Sequence, residues 1–213
     1  MKFKNLVPMK AAAVFMVFCC ALFMPNPGSG SADSIMPDVK SFILDNGVKV
    51  FSIDDDLPRT EIVVSISYGK LFEDMNNAGM SEVIANTLLL SGSAKYPGDS
   101  VISTLESAGG SISVDAGWES ITIEVRVLER HTDLAFDIIG DLLADPLFNS
   151  KTIKYSANYV YEKNRRRMDD PAAKGMAALR SVIFNGKGYG ADITKQSISS
   201  ISENSVKDIW NRH

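Results

Sequence analysis

Residues 79–93, Gly-Met-Ser-Glu-Val-Ile-Ala-Asn-Thr-Leu-Leu-Leu-Ser-Gly-Ser, constrain this chain most. Met80, Val83, Ile84, Thr87 and Leu88 fall at i, i+3, i+4, i+7 and i+8, the largely apolar stripe of an amphipathic helix. Gly79 precedes the helix, and Ser91-Gly92-Ser93 stops it. Glu82, Ala85 and Asn86 share a neighbouring face, because residues three and four apart meet on a helix.

The segments before the helix read as strands. Phe42-Ile43-Leu44 and residues 48–53 flank Asp45-Asn46-Gly47. Asn-Gly between β-rich runs predicts a hairpin closed by a type I′ turn. The acidic triplet Asp54-Asp55-Asp56 reads as a solvated loop rather than a cation site. Residues 61–68 are β-branched and predict a third strand, and 69–77 form a polar connection into the helix.

After it, Val101, Ile102 and Leu105 share one face of a second helix over 100–108, which Gly109-Gly110 ends. Residues 111–116 and 120–127 alternate with period two and predict an antiparallel pair around Gly117-Trp118-Glu119. Three helices follow. The first, 132–144, turns Leu134, Ile138, Leu142 and Leu143 inward; the others cover 150–168 and 172–184. Gly188-Tyr189-Gly190 is a loop without the Lys-Ser/Thr of a phosphate cradle, and a last helix covers 202–210. Strand groups interrupted and followed by helix groups predict an α+β fold, an antiparallel sheet with helices packed on one face.

A chain of 213 residues, 45% apolar and 23% charged, suits one packed domain. Its first 32 residues have another character. Lys2, Lys4 and Lys10 precede an uncharged apolar run over 11–24, and Gly30-Ser31-Ala32 offers a cleavage site. This is the pattern of a secretory signal peptide, too short for a membrane span of about 20 residues. The domain proper is then 33–213, in an exported, periplasmic or extracytoplasmic protein. Cleavage removes three lysines and no acid, moving the formal net charge from −4 to −7. So acidic a chain is a poor partner for nucleic acid or an anionic membrane surface. Cys19 and Cys20 leave with the leader, so no disulfide staples the mature chain.

The order of these elements resembles the N-terminal half-domain of the insulinase/pitrilysin-type zinc metallopeptidases, the inverted zincins that include the mitochondrial processing peptidase subunits. The hairpin 42–50, Phe-Ile-Leu-Asp-Asn-Gly-Val-Lys-Val, is similar to the family's opening hairpin. Gly79-Met80-Ser81 opens the helix as the family's metal helix opens. Leu105-Glu106-Ser107-Ala108-Gly109-Gly110, then Ser113-Val114-Asp115-Ala116, Arg167-Met168-Asp169-Asp170-Pro171, Tyr189-Gly190 and Ile201-Ser202 follow in family order.

The resemblance implies a zinc site built on His-x-x-Glu-His, with two imidazole ligands, a glutamate base and a distal glutamate ligand. At the matching positions stand Glu82 for the first His, Ala85 for the base and Asn86 for the second His. The distal position falls at Glu162 or Lys163. Zinc prefers nitrogen and sulfur donors, and alanine carries no proton. The expectation is a family fold without the family's catalysis, with neither zinc nor another cofactor. A trio of Glu82, Asn86 and Glu162 offers too few oxygens for Ca²⁺. Of the two histidines, His131 suits a cap or surface role at a helix start, and His213 is the last residue. Arg165-Arg166-Arg167 reads as a solvated face.

In this family zinc-bearing and zinc-less half-domains pair around a chamber. The resemblance therefore implies a peptide-binding or partner subunit beside a sister that carries the intact motif. The other readings are a stand-alone envelope binding or scaffold module, and an active zinc metalloendopeptidase with an atypical site. The family pattern usually runs on beyond residue 213, so the half-domain is expected to be truncated and its sheet to present an open edge.

Overall fold

A computed structural model describes residues 39–213, so the leader lies outside the described residues. The chain divides into two compact units after Asp56.

In the first unit, β1 (Val39–Ile43) and β2 (Lys49–Ile53) form an antiparallel hairpin with Ile43 opposite Lys49. The turn differs from the type I′ expectation. Gly47 N donates to Leu44 O at 2.8 Å, Leu44 N donates to Val48 O at 2.9 Å, and of Asn46 and Gly47 only Gly47 has positive φ (+86°). This is a three-residue loop with glycine in the left-handed position, which spares Asn46 the strained conformation a type I′ turn demands. Phe42, Ile43, Val48, Phe51 and Ile53 are all exposed on this unit.

The second unit holds β3 (Arg59–Ile66), β4 (Ser111–Ala116) and β5 (Ile121–Leu128) in one antiparallel sheet of order β3-β5-β4. The five strands thus form two antiparallel sheets, one in each unit. Register brings apolar residues into rows: Ile62–Val125–Ile112, Val64–Ile123–Val114 and Ile66–Ile121–Ala116. The opposite face is polar and carries Arg126 bonded to Glu61 and Glu124. Period-two alternation produces this division.

The helices are α1 (Met80–Ser91), α2 (Ser100–Ser107), α3 (Thr132–Ala144), α4 (Ser150–Arg167), α5 (Pro171–Ile183), α6 (Lys195–Ser200) and α7 (Glu203–Trp210). None of the described helices is long and apolar enough to cross a membrane. α1 packs on β4 and along α4, burying the stripe Met80, Val83, Ile84, Thr87 and Leu88. Ile138 and Leu142 of α3, Ile153 and Val160 of α4 and Val206 of α7 complete the same core. α6 was not legible as a helix; Thr194 and Ser197 cap it reciprocally, but six residues are too few for apolar periodicity to show.

The connection before α1 is more than a polar linker. Glu73, only 4% exposed, accepts hydrogen bonds from Gly79 N (2.8 Å), Ser81 N (2.8 Å) and Ser81 Oγ (2.6 Å). A carboxylate there satisfies amides that the first turn of a helix leaves free and sits at the positive end of the helix dipole. Hydrogen bonds to charged groups contribute roughly 1.5–3 kcal/mol each, and a buried donor stranded without a partner costs a similar amount. Glu73→Ala is therefore expected to lose about 3 kcal/mol in urea unfolding, and Glu73→Gln roughly half of that. A loss under about 0.5 kcal/mol for Glu73→Ala would contradict this role.

Candidate functional site

Segments far apart in sequence meet beside the polar flank of α1. A single 3-10 turn, Lys70–Phe72, lies against the turn that joins β4 to β5. Gly69 permits this approach, since a Cβ there would stand 2.7 Å from backbone atoms of Glu119 and Ser120. Leu71 N donates to Trp118 O at 2.8 Å and fixes the pairing. Glu73 O accepts from Gly188 N at 2.8 Å and draws in the 3-10 turn Gly188–Gly190. α4 runs along the other side of α1.

The side chains at the motif positions are engaged with the protein itself. Glu82 Oε1 lies 3.1 Å from Lys70 Nζ, and Oε2 lies 3.5 Å from Lys163 Nζ. The Glu82 side chain is 14% exposed and that of Lys70 17%, so this pair is screened less than a surface ion pair. Ala85 is 2% exposed and belongs to the core rather than to the polar face that spacing suggested. Asn86 Nδ2 donates to Glu82 O at 2.9 Å, an i−4 bond within α1.

Of the two candidates for the distal position, α4 turns Lys163 toward Glu82. Glu162 instead accepts from Arg165, with Nε at 3.0 Å and Nη2 at 2.9 Å, on the surface of its own helix. Successive helical residues point about 100° apart, so only one of the two can face α1. Spacing alone left that choice open.

The histidines are occupied elsewhere. His131 takes the N-cap position of α3, yet its side chain makes no cap; Nε2 accepts from Arg130 Nε at 3.2 Å. His213 packs on Tyr68 and Phe72, with ring centroids at 5.2 and 5.5 Å. Burial, aided by the Glu73 carboxylate, pushes the Tyr68 phenol above its ordinary range.

Next to the ion pairs lies a cluster that no motif announced. Trp118, 47% exposed, has Lys70 Nζ 5.3 Å and Arg180 Cζ 5.3 Å from its ring centroid. The Tyr189 ring stands edge-on to the indole at 5.5 Å, and its hydroxyl donates to Glu119 Oε1 at 2.5 Å. That bond holds the Tyr189 phenol above its ordinary range. These residues come from separate turns and helices, and only the folded chain brings them together.

As a donor set for zinc, the motif positions do not fit. They offer one carboxylate already shared by two ammonium groups, an amide whose nitrogen is committed to the backbone and whose oxygen is only a weak neutral donor, and an alanine. Nothing at position 85 can take a proton from water.

Comparison with known proteins places this geometry in a family. The chain is 23% identical over 182 residues to the mitochondrial-processing peptidase subunit beta of Dictyostelium discoideum, covering 84% of this chain and 39% of that protein. It is 24% identical over 215 residues to the probable zinc protease PqqL of Haemophilus influenzae, covering 93% of this chain and 22% of the relative. The solved periplasmic protease PqqL of Escherichia coli superposes with a TM-score of 0.69 at 15% identity, over 84% of this chain and 21% of that one. The chain thus spans well under half the length of these relatives, and the similarity to the solved structure concerns the fold. Residues 49–196 match the insulinase family, peptidase family M16, and the chain belongs to it.

Proposed function

We propose that this chain is a non-catalytic member of the insulinase family, exported from the cytoplasm, that binds peptide or a sister subunit carrying an intact zinc motif. The arrangement Lys70–Glu82–Lys163 supports this reading best: two ammonium groups take up the carboxylate at a position where the family places a metal ligand. A divalent cation would have to displace them against like charge. Ala85 removes the general base, so a metal held there would still lack its proton acceptor. The relative named as subunit beta belongs to a multi-subunit peptidase, which supports the partner role. The periplasmic relative and the leader-like residues 1–32 support export.

Rebuilding the motif tests the catalytic part of this reading. Glu82→His with Ala85→Glu and Asn86→His restores the helix ligands and base, yet leaves Lys163 as the distal group. This triple variant is expected to take up far less than one zinc per chain. Adding Lys163→Glu is expected to raise zinc toward one per chain by plasma mass spectrometry. Equal zinc in both variants would assign the distal position to Glu162 instead.

The partner role is tested by mixing the purified chain with a homologue from the same genome that retains His-x-x-Glu-His. Co-sedimentation and a changed peptidase rate are expected. If the chain neither associates nor alters the rate, the partner role fails. Export predicts that mass spectrometry of the extracytoplasmic protein finds Asp33 as its first residue, and retention of Met1–Ala32 would contradict it.

A further inference from the structure

The corner beside α1 gathers three cations and three carboxylates, and one cation is left over from the pairing. Lys70 and Lys163 share Glu82, Glu73 is bonded to the start of α1 and Glu119 to Tyr189, while Arg180 lies on the Trp118 ring. Resting on the peptide-binding reading above, we infer that this corner captures a carboxylate of a bound peptide, with Arg180 as its principal ligand and Trp118 as the wall beside it.

Three observations carry the inference. Arg180 is half-buried, its guanidinium lies 5.3 Å from the centroid of the Trp118 ring, and it has no ion-pair partner among the described residues. A planar guanidinium already held on an aromatic ring keeps its fork of N–H donors for a bidentate carboxylate, and little rotamer freedom is left to lose on binding. Lys70 Nζ, 3.1 Å from Glu82 and 5.3 Å from the Trp118 centroid, adds a second cation at the same ring. Trp118 is 47% exposed despite lying between cations, with the Tyr189 ring edge-on to it. An exposed indole and a cation side by side fit an apolar side chain next to a carboxylate.

The site discriminates by sign. A metal ion or a basic peptide meets like charge here, whereas a C-terminal carboxylate or an Asp/Glu side chain does not. Glu82 opposes the ligand, and its removal should strengthen binding.

Calorimetric titration of the purified chain at low salt tests this with three probes: Ac-Ala-Ala-Ala-Phe as the free acid, the same peptide as its C-terminal amide, and Ac-Ala-Asp-Ala-Phe amide. The free acid is expected to bind at least tenfold more tightly than the plain amide. Binding of the Asp-containing amide as tightly as the free acid would show that any carboxylate suffices; weaker binding would assign the site to the chain terminus. Arg180→Gln should abolish the preference, Arg180→Lys should retain part of it, and Glu82→Gln should tighten free-acid binding several-fold, all with thermal unfolding close to that of the parent. Equal affinity for the three peptides overturns the carboxylate site while leaving peptide binding standing. An unchanged preference in Arg180→Gln also overturns it. If none of the peptides binds, the peptide-binding reading fails with it, while the sister-subunit role is judged by its own assay.

Discussion

The Glu73 carboxylate organises the second unit. Its side chain closes the N-terminus of α1 through three hydrogen bonds, and its backbone carbonyl holds Gly188. Three residues earlier in the same turn, Lys70 reaches Glu82 on the first turn of that helix. One short segment therefore sets where α1 begins and which charges stand beside it. A buried carboxylate is stable only where donors surround it, and the free amides of a helix start provide them. The sheet below is ordinary by comparison; three rows of apolar residues bury one face, and alternation does the rest.

α1 separates fold from chemistry on its two sides. Met80, Val83, Ile84 and Leu88 are buried and hold the helix on β4 and α4, as they would whether or not a metal bound. The adjacent flank carries Glu82 and Asn86, whose partners are ammonium groups and a backbone carbonyl. Ala85 has gone over to the core. A family fold can persist while the site grafted on it changes character, because packing depends on one stripe and catalysis on another.

Local periodicity was enough to place α1, α2, the β4–β5 pair and α3 to within a residue or two, since each carries a complete apolar pattern. Residue spacing also put Glu82 and Asn86 on one flank of α1, because a pattern on one helix is local, but it misplaced Ala85, which turns to the core. What was not legible depends on contacts across the chain. Glu73 looked like part of a polar connection, since nothing local says that a carboxylate seven residues before a helix folds back on it. Lys70, Trp118, Arg180 and Tyr189 lie on four separate segments, and no spacing rule joins them. Asn46-Gly47 gave the hairpin but not its turn type, which the pairing of Leu44 with Val48 decides.

We propose that the Lys70 and Lys163 ammonium groups hold the Glu82 carboxylate that a metal beside α1 would need. Calorimetric titration of the purified chain with Zn²⁺, with bound metal counted after gel filtration, decides the matter. Far less than one retained zinc per chain is expected, with no rise when the chain is held at neutral pH in excess zinc. One tightly held zinc per chain, lost to a chelator and weakened by Glu82→Gln, would contradict it.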